Sequence, residues 1–274
     1  MPKVKDKSRE LEILISTMNR TSLDFLFSIF SKVSLSDYSI LVINQTTENK
    51  LLTTEKPNVR VINSFEKGLS KSRNLAIKNA TKPFCLLADD DVVFIAGFQK
   101  VILDAHHNYS QTIITFQTIT TQNKLYWKYP TVSKIHNELM RQKTLSVEIS
   151  FKKAEITDLR FDERFGLGAT FEDGENYIFL SEANKKGKNP MFINKSICIH
   201  EPLSSSDDVK SDRLMYAKSA IHSYKYENLA YFWVFKFVFF LFRKKYISFN
   251  EIGHKLKVGF KGIQDFKKNK DNDS

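Results

Sequence analysis

The sequence predicts an α/β protein in which a mostly parallel central sheet is flanked by helices and followed by a helical C-terminal appendage. Two observations carry that prediction. Short, continuously apolar runs alternate with segments whose apolar residues recur at helical spacing, the pattern of strands buried on both faces by their crossover elements. From about Asp207 the character changes to helical, aromatic-rich and basic. A third observation locates function: Asp89, Asp90 and Asp91 stand side by side directly after an apolar run, where like charges repel unless something positive meets them.

The elements follow in order. "LEILIS" (11–16) is a strand, and the polar "TMNRTS" after it suits a loop and N-cap before the helical "LDFLFSIFSKV". "YSILVIN" (38–44), "NVRVIN" (58–63) and "PFCLLA" (83–88) are three further strands. Between the last two, "SKSRNLAIKNA" carries Leu75, Ala76 and Ala80 at helical spacing. "TIITFQTITT" (112–121) alternates like a strand, "KIHNELMRQ" reads as a helix and "LSVEISFKK" (145–153) as another strand. A glycine-punctuated loop runs into a helix containing Phe179, Leu180 and Ala183, with Gly187 as its stop. "PMFINKSICIH" then closes a domain spanning 1–206 with a strand ending at His200, and 207–274 form the basic helical region.

Composition supports an ordered chain: 274 residues, 42% hydrophobic, 27% charged, 23 Phe. The net charge of +11 is uneven, with ten Lys or Arg against four Asp or Glu from Phe235 to Ser274. An anionic partner is expected, although no recognised nucleic-acid motif accompanies the charge. Cys85 and Cys198 lie far apart in apolar runs, which fits neither a disulfide framework nor a zinc pair. No secretory apolar segment precedes the first strand, so a cytoplasmic protein is expected. "LAYFWVFKFVFFLF" (229–242) is too short for the ~20 residues of a spanning helix. Flanked by "RKK", it suits either a buried helix or a peripheral position on the inner face of the membrane.

In an extended segment Asp89 and Asp91 project to one face and Asp90 to the other, so the first pair is able to share a hard divalent cation. The stretch "GLSKSRN", then "AIKNA", then "LLADDDVVF" resembles family two of the inverting nucleotide-sugar glycosyltransferases. "FDERFGLGATFEDGENYIFL" is similar to that family's acceptor-side segment, and "ICIH" to its closing strand with histidine. The three motifs stand in the family's order over roughly residues 10–202.

The resemblance implies a Rossmann-like A-type glycosyltransferase fold and a transfer from a nucleoside-diphosphate sugar, UDP-linked by expectation, to a saccharide hydroxyl. With it, the basic, aromatic tail suggests a lipid-linked acceptor at the cytoplasmic membrane face, as in surface-polysaccharide synthesis. The resemblance also implies that Asp91 binds Mn2+ or Mg2+ bridging the diphosphate, that Asp89 lies near the ribose or the metal, that Asp90 contacts the sugar and that His200 completes the metal shell. Arg73 and Asn74 border the donor pocket, and Thr17 and Asn19 fall where relatives hold base and ribose. The chain departs from the family's acidic turn after the second strand, where it has Asn44 and Gln45.

An inverting transfer needs a carboxylate base. The family's acidic pair corresponds here to Glu175 and Asn176, so its usual second acid is an amide. Glu175 is the expected base, Asp173 the second candidate and Glu172 the third. The alternative reading is a sugar-nucleotide-binding or assembly module whose catalysis is impaired at that position.

Overall fold

The computed structural model describes residues 10–201 and 209–271. They divide into two compact units, the first formed by 10–162 and 176–201, the second by 163–175 and 209–271. The domain boundary expected after residue 206 lies outside the described residues. The acceptor-side loop 163–175, which the linear reading assigns to the first domain, groups with the C-terminal helices. Its aromatic residues explain why: Phe165 and Phe171 pack at 4.9 Å between ring centroids, Phe171 stacks on Tyr216 at 5.2 Å, and both meet Phe266.

The first unit is built on one nine-stranded sheet. Its strands are β1 (Leu11–Met18), β2 (Ser39–Gln45), β3 (Val59–Ser64), β4 (Phe84–Asp89), β5 (Val93–Phe94), β6 (Ile113–Ile119), β7 (Lys134–Ile135), β8 (Ile149–Lys152) and β9 (Met191–Ile199). The order is β3-β2-β1-β4-β8-β6-β9-β5, with β7 also paired to β9. The parallel part is β3-β2-β1-β4, joined by β6 with β9; β8 runs antiparallel between β4 and β6. Alternate residues of the buried strands serve opposite faces. Ile13, Ile15, Ile40 and Val42 pack with α1 (Phe25–Ile29) and α3 (Phe98–Asn108), while Leu14, Leu41 and Leu87 pack with α2 (Leu69–Asn79) and α5 (Glu175–Lys185). Each such side chain contributes about 1.5–3 kcal/mol by leaving water.

Two expected elements differ. The helix expected over 134–142 begins as the short β7 and becomes α4 (Glu138–Lys143) only after Asn137, whose side chain accepts from Met140 N at 3.0 Å and caps it. The strand expected over 145–153 opens as a single 3-10 turn at Ser146–Glu148, because the Glu148 carboxylate reaches back to Leu145 N at 3.1 Å. Strand β5 and helix α3 were not anticipated. Yet α3 carries Phe98, Val101, Ile102 and Ala105 at the spacing of one helix face.

The C-terminal helices of the second unit are α6 (Asp212–Tyr226), α7 (Ala230–Arg243) and α8 (Ile252–Asp271). Met215, Val234, Val238, Leu241 and Ile263 form their common core. Glycine permits the closest approach: a Cβ at Gly262 would stand 2.4 Å from the backbone oxygen of Tyr216, and one at Gly259 2.7 Å from Val234 Cγ1. Among the described residues, no helix is long and apolar enough to cross a membrane.

Candidate active site

Strand register gathers polar residues at one end of the sheet. Ser16 of β1 pairs with Asp89 of β4, and Thr17 and Met18 pair with Asn44 and Gln45 of β2. These are the carboxyl ends of parallel strands, where ligands collect in open α/β sheets.

The acidic run leaves the sheet as a turn, and each of its three carboxylates meets a different cationic side chain. Asp89 accepts from Arg73 Nη2 at 3.1 Å and from Ser146 Oγ at 2.7 Å. Asp90 accepts from Arg20 Nη2 at 2.8 Å, from Arg20 Nε at 3.0 Å and from the Thr17 hydroxyl. Asp91 lies 3.3 Å from His200 Nε2. The mutual repulsion of the run is therefore relieved by separate groups. Antiparallel pairing of Val93 with Ile199 brings the end of β9, and so His200, beside Asp91.

Arg73 is the most enclosed of these cations, its side chain 3% exposed. Besides Asp89 it donates from Nη1 to Asn176 Oδ1 at 3.2 Å, and its guanidinium lies 5.5 Å from the Phe161 ring centre. The amide at the family's second acidic place thus serves as an acceptor for this arginine. Asn74 clamps the Phe161 backbone, donating to its carbonyl at 2.9 Å and accepting from its N–H at 2.8 Å. The hydrogen-bonded Asn74 amide positions a ring that packs against Arg73.

Thr17 is buried and Asn19 exposed, the latter left-handed at φ 55°, with its N–H on Gln45 O at 2.8 Å. The amides that replace the family's acidic turn have structural partners. Asn44 accepts from Arg20 N at 3.0 Å and donates to Arg20 O and Asn63 Oδ1, both at 2.9 Å. Gln45 Oε1 accepts from Gly68 N at 2.7 Å; Gly68 has φ 127°, a conformation open to glycine.

Asp91 and His200 tune each other. The hydrogen bond from His200 holds the Asp91 carboxyl below its ordinary value, against the opposing effect of burial. The same bond raises His200, whose Nδ1 lies 2.6 Å from Glu201 O. A divalent cation at a phosphate site is commonly held by one or two carboxylates, with water and phosphate oxygens completing its shell, so Asp91 is the kind of ligand such an ion takes and His200 would add an imidazole beside it. Among the described residues no three His, Cys, Asp or Glu side chains are grouped to hold an ion by themselves. Asp89, the third expected ligand, is occupied by Arg73 and Ser146.

The base candidates belong to the second unit. Asp173 is raised above its ordinary value by burial and then by the charge of Glu175, and its Oδ1 accepts from Gly174 N at 2.8 Å. Glu172 accepts from Gly168 N at 3.2 Å and pairs with Arg213 at 3.5 Å. Glu175 opens α5. Arg20 and Ser146 were missed in the sequence: one lies in an ordinary polar loop, the other in a run that reads as strand.

The family model described as Glycosyl transferase family 2 matches residues 14–172. Among solved structures, the chain is similar to S. aureus TarS 1-349 in complex with UDP-GlcNAc, with a TM-score of 0.57 and 13% identity over 94% of this chain and 80% of that one. TarS 1-349 without a stated ligand gives a TM-score of 0.54 and 14% identity over 93% and 81%. The complex of TarS 1-349 with UDP gives 0.51 and 15% over 88% and 76%. At these identities the likeness is one of fold. No curated protein sequence matches the chain.

Proposed function

The chain belongs to glycosyl transferase family 2, and from that premise we propose that it moves a sugar from a UDP-linked donor to a saccharide hydroxyl with inversion, assisted by Mn2+ or Mg2+. The observation that carries this reading is the separate partnering of three consecutive carboxylates at the end of β4. Two arginines and a histidine are held there at strand carboxyl ends, the cationic groups a bound diphosphate would meet. TarS, similar in fold, has been solved with UDP and with UDP-GlcNAc.

Asp91 and His200 would hold the cation, and a bound divalent ion would stabilise charge on the departing diphosphate. Arg73, kept in place by Asp89, Asn176 and Phe161, neutralises phosphate charge by directed hydrogen bonds. Asp90 orients Arg20 at the mouth of the same strand ends. The acceptor oxygen bonds to the anomeric carbon as the bond from that carbon to the diphosphate oxygen breaks. Its proton passes to a carboxylate, assigned to Glu175, with Asp173 the second choice. The raised affinity of Asp173 for a proton suits such a role.

UDP release from a panel of UDP-sugars with saccharide acceptors tests the proposal. Asp91→Asn is expected to lower turnover about a thousandfold, the equivalent of several kcal/mol of lost charge stabilisation. Glu175→Gln should cost about 10²–10⁴-fold. Full turnover by Asp91→Asn contradicts the metal role. Asn176 favours a second reading, a donor-binding module; wild-type protein that binds UDP but releases none from any donor would establish it.

A further inference from the structure

Helix α7 has two apolar faces: one is buried inside the unit, and the other is exposed although Phe235 still meets the Phe260 ring of α8 edge-on at 5.3 Å. Ala230, Val234, Val238 and Leu241 form the buried stripe against α6 and α8. At the i, i+3, i+7 and i+10 positions of another face stand Phe232, Phe235, Phe239 and Phe242, exposed by 74, 52, 63 and 39%. Exposed Lys236 and Arg243 border these rings on one side of the helix, and Lys244 and Lys245 follow at its end. Beyond them Phe249 is 76% exposed, its ring 6.3 Å from that of Phe242. An open cleft of about 660 Å³ beside this turn is lined by Arg243, Lys245, Tyr246 and Ser248 among others.

A row of four exposed phenylalanines is costly to leave in water, and scattered surface residues do not produce it. The bordering charge identifies the occupant. Aromatic rings flanked by Lys and Arg match the boundary layer of an anionic bilayer, where rings enter the acyl edge and cations meet headgroup phosphates. A core-like protein partner would leave those cations unmatched. At fourteen residues the helix lies in the interface and does not span it. We propose that the Phe232–Phe242 face of α7, with Lys236 and the 243–245 basic cluster, is a docking surface for anionic lipid bilayers.

The proposal is independent of the transferase reading, and flotation of the full chain reads it without any activity. The full chain should float with vesicles of equimolar phosphatidylcholine and phosphatidylglycerol, far less with phosphatidylcholine alone, and should be released by molar salt. Lys236→Gln and Lys244→Gln should each weaken partition about fivefold. Phe232→Ser with Phe239→Ser, the two most exposed rings of the row, should abolish it while leaving the circular dichroism spectrum unchanged. Flotation undiminished by the paired serine substitutions, or none with anionic vesicles, overturns the proposal. A lipid-free dimer that Phe239→Ser converts to monomer, with no vesicle partition, would assign the face to a second copy of the chain instead.

Discussion

Replacing Arg73 by Met keeps much of the side chain's length and removes its charge. The guanidinium makes a charge-assisted hydrogen bond to Asp89, worth about 1.5–3 kcal/mol, and one to Asn176, worth about 1 kcal/mol. Contact with Phe161 adds about 0.5–2 kcal/mol. Against these stands the desolvation relieved when a buried cation is removed. Asp89, with 30% of its side chain exposed, stays partly hydrated after losing its partner. The net loss expected is about 2–3 kcal/mol, near the lower end of the range for breaking a buried pair. Urea unfolding of Arg73→Met, Asp89→Asn and the double variant should give a coupling energy of about 1–2 kcal/mol. Additivity within about 0.3 kcal/mol would refute the assignment of Arg73 and Asp89 as an interacting pair.

Acid should destabilise the first unit through His106 and His136. Burial lowers both to about 3, with Nε2 of each within 2.8 Å of a hydroxyl, on Ser150 and Thr115 respectively. Their folded values lie below the ordinary 6.5, so the stability they contribute is present above pH 6.5 and is lost as pH falls toward 3. By pH 5.5 the two together should cost about 3 kcal/mol relative to pH 7.5, and His106→Gln should flatten that slope in urea titrations. A stability that is level between those pH values would contradict neutral burial. In the second unit, Gly262→Ala should lower stability by about 1–3 kcal/mol, because the new methyl meets backbone and not a flexible tip. An unchanged midpoint would mean α6 and α8 separate easily.

What the sequence disclosed was governed by how local each signal is. The parallel strands β1 to β4 and helix α2 announce themselves because buried apolar runs and glycine-bounded helices are written in consecutive residues. The acidic run was legible for the same reason. Its partners were not: Arg20 lies 70 residues from Asp90 and Ser146 lies 57 from Asp89, so only the sheet's register brings them together. His200 was found through the family's closing strand, while the reason it reaches Asp91 is the two-residue β5, too short to leave a periodic trace. Glu148 misled in the opposite direction. Its burial raises its carboxyl to about 8 and suits an apolar strand pattern, yet its contact with Leu145 N turns the chain. Loop 163–175 groups with the C-terminal helices because Phe165 and Phe171 find their partners about 50–100 residues later, in α6 and α8, beyond the reach of a local signal.

Asp91 with His200 is proposed to form a cation site serving a nucleoside diphosphate. Calorimetric titration of UDP, with and without Mn2+, into wild-type protein and Asp91→Asn tests it most directly. Mn2+ is expected to tighten UDP binding of the wild type by about tenfold or more, ~1.4 kcal/mol, and to leave the variant's affinity unchanged. UDP affinity indifferent to Mn2+ in the wild type, or an equal Mn2+ enhancement in Asp91→Asn, would contradict it.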